Sequence, residues 1–336
     1  MTGLKKSIPA IAALALLGSV AMPAMAAEAP GEGKTIKMAQ ATWDTGWFHS
    51  EIYKQLFEEL GYTVDGPTTL DNPPFYQAVG YGDVDLWVNG WFPIHDTYRP
   101  AFEESAEIIG AVAAGGALQG YLVDKASAEK FDIKTLDDFK RDEVKEAFDR
   151  DGDGKADLVA CPPGWGCEVA IEGHLTEYGL KDHINEIKAS YSASMADAVA
   201  AHDSGEPILF YTWTPNWTVN ELKLGEDVVW IQVPEEATEE NAAAGIASCV
   251  ADPCVMGFEA NDIVPVANSK FLEENPAVAA VLKTASIPLE DIFAQNSAMN
   301  DGADSPEDIK KQASDWIEKN REMVDGWLEE ARKAVD

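Results

Sequence analysis

Two periods of apolar residues alternate along this chain. Short runs suited to buried strands are separated by longer stretches with apolar side chains three and four positions apart. Thr35 to Ala41 reads as a first strand, about Trp47 to Leu60 as a helix ending at Gly61, and Tyr62 to Val64 as the start of a second strand. Pro74 to Val79 begins another helix, and Val84 to Val88 is a buried strand. This alternation predicts a parallel sheet with flanking helices. Gly110 to Val123 is small, apolar and glycine-rich, suited to a crossing between domains. A second α/β series follows, with helices over Leu136–Phe148, Glu168–Tyr178 and Ser194–Asp203 and strands over Ile208–Thr212 and Val228–Val233. Asp262 to Asn268 returns the chain to the first series. Ser269 to Asp336 is largely helical and amphipathic, with Trp316 and Trp327 expected in its core.

The N-terminus changes the compartment. Lys5 and Lys6 precede an apolar run from Ile8 to Ala24, and Ala24-Met25-Ala26 gives a small-x-small cleavage pattern. A secretory signal peptide over residues 1–26 is expected, with an exported, soluble, periplasmic product. The formal charge of −34 becomes −36 once Lys5 and Lys6 are removed. Such an acidic surface repels nucleic acid and anionic lipid, so neither is an expected partner. A mature chain of roughly 310 residues suits two domains rather than one core.

Four cysteines fall in two close pairs, Cys161/Cys167 and Cys249/Cys254. Three disulfide connectivities are possible, and the short loops favour local pairing. Zinc is the competing reading, but neither pair has CxxC spacing and export favours oxidation. Asp149-x-Asp151-x-Asp153-Gly154 and Asp157 resemble a calcium loop through position nine, whereas position twelve is Ala160 instead of Glu. An acidic, glycine-rich turn is the simpler reading, and no metal is assigned. Gly33-Lys34-Thr35 resembles the end of a phosphate loop, but the earlier glycine it requires is Glu28 and no strand precedes it. No cofactor is expected.

The candidate chemistry lies on loops and strand ends. Cys161-Pro-Pro-Gly-Trp165-Gly166-Cys167 closes a short loop just before the helix that begins at Glu168. The amides of Gly166 and Cys167 would then face a carboxylate at the positive end of that helix, with the Trp165 ring beside it. A disulfide-stapled turn with a packing tryptophan is the alternative. Trp91 and His95 follow one strand, and Trp213, with Pro215 behind it, follows another. Ligands in α/β sheets bind outside the carboxyl ends of strands. An enzyme acting on choline or a betaine is disfavoured, because H-E-x-x-H, G-x-S-x-G and a usable dinucleotide fingerprint are all missing.

The segments VNGWFPIHD (88–96), DGDGKADLVACPPGWGCE (151–168), FYTWTPNW (210–217) and DVVWIQVP (227–234), with IPLEDIFAQNSAMNDG (287–302) and VDGWLEEA (324–331), resemble the periplasmic glycine betaine-binding proteins of osmoprotectant ABC transporters. The resemblance implies a two-lobed α/β periplasmic binding protein of type II-like fold with ligand in the cleft. Lobe 1 is expected over 27–118 and 258–336, and lobe 2 over 119–257. It implies that Trp91, Trp165 and Trp213 box a trimethylammonium group, that His95 and the amides of Gly166 and Cys167 take the carboxylate, and that Cys161 pairs with Cys167. It further implies a monomer that is no enzyme and delivers its ligand to a permease; a choline- or carnitine-binding protein of the same fold is the alternative. Trp43, Asp44 and Trp47 and the Cys249/Cys254 pair depart from the family pattern and leave the ligand choice open.

Overall fold

The computed structural model describes residues 29–239 and 241–335, together with Thr2. The expected signal peptide therefore lies, apart from Thr2, outside the described residues. The strands are β1 (Thr35–Ala41), β2 (Thr63–Leu70), β3 (Leu86–Phe92), β4 (Ala106–Ile108), β5 (Ala113–Asp124), β6 (Ala156–Val159), β7 (Ile184–Ile187), β8 (Leu209–Thr214), β9 (Val228–Ile231) and β10 (Asn261–Asn268). Between β1 and β5 come helices α1 (Trp47–Glu59) and α2 (Asn72–Tyr81); between β5 and β10 come α3 (Lys125–Phe131), α4 (Asp142–Phe148), α5 (Gly166–Glu177), α6 (Tyr191–Asp203) and α7 (Thr218–Glu221). The chain ends in α8 (Ser269–Glu274), α9 (Pro276–Thr284), α10 (Leu289–Asn300), α11 (Pro306–Lys319) and α12 (Arg321–Lys333).

Local chemistry explains the boundaries. In α1 the buried Phe48, Ile52, Tyr53, Leu56 and Phe57 recur at three and four positions, and the helix stops where Gly61 takes a φ of 89°. Two prolines at the start of α2 occupy positions whose N–H groups would have no helical partner. The expected continuous helix over Leu136–Phe148 is broken instead. A short 3-10 turn, Leu136–Lys140, is closed by a Thr135–Asp138 capping box, and Arg141 is extended before α4 begins. The Arg141 guanidinium donates to the Phe131 carbonyl at 2.6 Å, which ties the break down.

The strands follow one path, β2-β1-β3-β10-β5-β8-β6-β7, with β4 added to β10 and β9 to β5. Pairing is parallel within β2-β1-β3 and within β8-β6-β7, as the strand–helix alternation requires. The sheet is mixed, however, because β5 and β10 run antiparallel to their neighbours. These strands carry the chain out of the first series and back. Residues Ala113 and Ala117 of β5 pair with β10, whereas Leu118 to Asp124 pair with β8 and β9. Trp316 is buried as expected, and its ring stacks on that of the half-buried Trp327. Among the described residues, no helix is long and apolar enough to cross a membrane.

Candidate functional site

All six residues singled out in the sequence, Trp91, His95, Trp165, Gly166, Cys167 and Trp213, border one cavity. Trp43, Ile94, Gln119 and Tyr211 complete its wall. Among these lining residues none carries a formal charge, given the state of His95 described below.

Two of the tryptophans are held by strands rather than by the loops expected for them. Trp91 lies within β3 opposite Ile263, and Trp213 within β8 opposite Gln119. At these positions one neighbour carries the ladder, β10 beside Trp91 and β5 beside Trp213, so bonding continues past the end of the apolar run. Trp165 does sit on a loop, as the residue just before α5. Its ring is nearly perpendicular to those of Trp43 and Trp213, with centroids 5.4 and 5.6 Å away. Trp91 makes no such close ring contact with the others among the described residues and faces the cavity from β3.

His95 lies in a 3-10 segment, Ile94–Ala101, that follows β3. The Trp91 amide donates to its Nδ1 at 3.1 Å, and the Tyr76 hydroxyl lies 2.8 Å from the same atom. A backbone N–H can only donate, so Nδ1 is an acceptor and the ring proton sits on Nε2. Asn72 is 3.0 Å from Nε2 through its amide group, and its Oδ1 as placed has no partner. Turning that amide over lets Oδ1 accept from Nε2–H, a bond that a ligand carboxylate at Nε2 would share or displace. Burial drives the imidazole pKa down to about 3, so His95 is a neutral donor at physiological pH.

The Cys161–Cys167 disulfide closes the loop as expected, with Cα atoms 5.8 Å apart, and Cys249–Cys254 forms the second bridge. Helix α5 begins at Gly166, two residues earlier than its pattern suggests, so Gly166 and Cys167 supply its first two amides. Neither amide donates to an acceptor among the described residues. Both therefore point unspent from a helix N-terminus beside His95. A β-carbon built on Gly166 would lie 3.3 Å from His95 Nε2, which places this amide and the imidazole side by side.

Gln119 and Tyr211 escaped the sequence reading. The Tyr211 hydroxyl donates to Gln119 Oε1 at 2.5 Å, leaving the buried Gln119 Nε2 without an acceptor among the described residues. The indole N–H groups of Trp91 and Trp213 are in the same condition. A period-two reading of Phe210-Tyr-Thr-Trp213 would have put Tyr211 on the tryptophan's face. A lone glutamine in an apolar strand was the signal for Gln119. Of the residues left open, Trp43 borders the cavity, whereas Trp47 spends its indole N–H on the Ala41 carbonyl at 2.8 Å. Asp44 is half-buried away from the wall near Ser192, and desolvation raises its pKa. The acidic turn gathers Asp149, Asp151 and Asp153, and Asp149 accepts from the amides of Gly152, Asp153 and Gly154.

Residues 34–319 match the family described as the substrate-binding domain of the ABC-type glycine betaine transport system. The chain belongs to this family. It is accordingly a binding component and not an enzyme. It is 38% identical over 307 residues to the glycine betaine-binding periplasmic protein OusX of Dickeya dadantii (strain 3937), spanning 91% of this chain and 92% of that protein. It is 37% identical over 310 residues to the glycine betaine/proline betaine-binding periplasmic protein of Escherichia coli (strain K12), spanning 92% and 93% of the two chains. The crystal structure of lactococcal OpuAC, closed and complexed with glycine betaine, superposes with a TM-score of 0.68 at 22% identity, covering 88% of this chain and 99% of that one. The fold of the family member described here is thus the two-lobed α/β architecture of substrate-binding proteins.

Proposed function

We propose that this protein captures glycine betaine, or a close relative bearing both a quaternary ammonium and a carboxylate, in the tryptophan-lined cavity and delivers it to the permease of an ABC transporter. The observation that carries this reading is a wall of four tryptophans without a charged side chain. A quaternary ammonium has no N–H to donate and spreads its charge over methyl groups. Aromatic faces suit both properties, at about 0.5–2 kcal/mol for each contact. A carboxylate in the wall would attract any cation and would itself have to be desolvated.

Trp91, Trp165 and Trp213 are the walls for the methyl groups, and Trp43, absent from the expected set, closes the fourth side. The ligand carboxylate faces His95 Nε2–H and the free amides of Gly166 and Cys167. These are fixed donors that also reject simple amines lacking an anion. Relatives named for glycine betaine at 37–38% identity over nearly the whole chain support the ligand class. Lobe 1 comprises residues 27–118 and 258–336 and lobe 2 residues 119–257. The change of partners along β5 between Ala117 and Leu118, and the start of β10 at Asn261, support that division. The protein works as a periplasmic monomer exported by the signal peptide over 1–26.

Calorimetric titration against glycine betaine, proline betaine, choline and carnitine tests the reading. Glycine betaine should bind with choline clearly weaker. Choline binding as tightly as glycine betaine would remove the role given to His95 and the two amides, and failure of all four compounds to bind would overturn the function.

A further inference from the structure

Trp91 and Trp213 are fixed by the ladders of β3 and β8, but Trp165 stands on a loop and needs another restraint. Its indole Nε1–H donates to the Thr42 hydroxyl at 2.8 Å, across 123 positions of sequence. An indole N–H cannot accept, so the Thr42 proton must go elsewhere. It goes to Asp71 Oδ1, 2.7 Å away. The direction of both bonds is therefore fixed, and the second is assisted by the carboxylate charge.

Register explains why these two residues meet. Strands β1 and β2 pair in parallel with Ala41 opposite Leu70, so Thr42 and Asp71 leave neighbouring strands side by side at their carboxyl ends. The loop carrying Trp165 arrives from β6, on the far part of the sheet path. It lies directly over this pair, since a β-carbon on Gly164 would be 3.5 Å from Asp71 Cβ and Cγ.

We propose that Thr42, oriented by Asp71, is a positioning residue that locks the Trp165 ring as a wall of the ligand site when the two sides of the cleft meet. This rests on the reading of Trp165 as part of the ligand cage. The bond spans the cleft and can form only when the cleft is closed. It thereby ties completion of the cage to closure, and its loss lowers affinity although Thr42 is not itself a lining residue.

The test is a double-mutant cycle on glycine betaine affinity, measured by calorimetry. Thr42→Val keeps the side-chain shape and deletes the hydroxyl, and Trp165→Phe keeps an aromatic face and deletes the N–H. Thr42→Val should weaken binding about three- to tenfold in the wild-type background and by less than about twofold in the Trp165→Phe background. Thr42→Ser should restore near wild-type affinity. Asp71→Asn retains a neutral acceptor and provides a second probe if Thr42→Val does not fold; it should show a smaller loss that also vanishes with Trp165→Phe. Wild-type affinity for Thr42→Val, or the same loss in both backgrounds, would overturn the proposal. Trp165→Ala reads the underlying assumption separately: undiminished binding there would remove Trp165 from the cage altogether.

Discussion

Gly166→Ala adds one carbon at the place where the α5 N-terminus meets His95. That carbon would lie 2.8 Å from His95 Cδ2, 3.3 Å from Nε2 and 3.4 Å from the Ile94 carbonyl oxygen. Carbon atoms in contact sit about 3.5–4.0 Å apart, so the approach to Cδ2 is too close by about 0.7 Å or more. The imidazole cannot swing aside freely, because the Trp91 amide and Tyr76 hold Nδ1 and Asn72 sits at Nε2. Nor is the effect one of backbone conformation, since Gly166 is not among the residues with positive φ. Overpacking of this kind costs about 1–3 kcal/mol. In the proposed lobe division His95 and Gly166 lie on opposite sides of the cleft, so the cost should fall on the closed, liganded form. Glycine betaine affinity should drop about five- to 150-fold by calorimetry, with little change in the melting temperature of ligand-free protein. Gly173→Ala in the same helix, where a β-carbon meets nothing within 4 Å, is the control. It should raise stability by about 0.5–1 kcal/mol and leave affinity unchanged. A Gly166→Ala protein that binds within about twofold of wild type would refute the contact in the liganded state.

Two further outcomes follow from the same geometry. Burial holds the His95 pKa at about 3 against an ordinary 6.5, so the donor stays neutral and betaine affinity should be flat from about pH 8 to about pH 5; affinity falling as pH rises through 6 to 7 would mean that a charged imidazolium binds the ligand. For stability the sign is opposite to that of a paired histidine: the unfolded ring takes up a proton below about 6.5 and the folded ring does not, so His95 makes melting temperature fall as pH drops from 6.5 towards 3, and His95→Gln should make that decline shallower. Replacing Cys161 and Cys167 together by serine should cost about 2 kcal/mol of stability and weaken binding, whereas the Cys249/Cys254 pair, away from the cavity wall, should cost similar stability with affinity preserved; equal affinity losses in the two double variants would contradict the role given to the first loop.

Much of this site was legible because strand ends and glycine-flanked loops are local features. A buried apolar run followed by Trp-x-Pro places an aromatic near the carboxyl end of a strand. The spacing of Cys161 and Cys167 likewise fixes a loop just ahead of a helix. The extension of β3 through Trp91 and of β8 through Trp213 was not legible, because it depends on β10 and β5, partners that lie far away in sequence. The antiparallel β10 had the same difficulty, since its neighbours β3 and β5 precede it by more than a hundred residues. The neutral state of His95 depends on the burial and crowding supplied by Asn72, Tyr76 and the Trp91 amide, and only folding assembles that surrounding. Thr42 carries no sequence signal at all: its hydroxyl becomes informative once Trp165 and Asp71 flank it.

The central claim, that neutral aromatic faces recognise a delocalised positive charge, is tested most directly by a ligand differing in charge alone. In 3,3-dimethylbutanoate a carbon replaces the nitrogen of glycine betaine, so shape and carboxylate are kept and the cation is lost. Calorimetric titration of both ligands should be done at about 0.15 M salt or more, where the long-range repulsion of an anion by this acidic chain is screened. The butanoate should bind at least about tenfold more weakly, reflecting the lost cation–π contacts with Trp43, Trp91, Trp165 and Trp213. Equal affinity for the two would contradict the account, because the cavity would then be recognising methyl groups and a carboxylate without regard to charge.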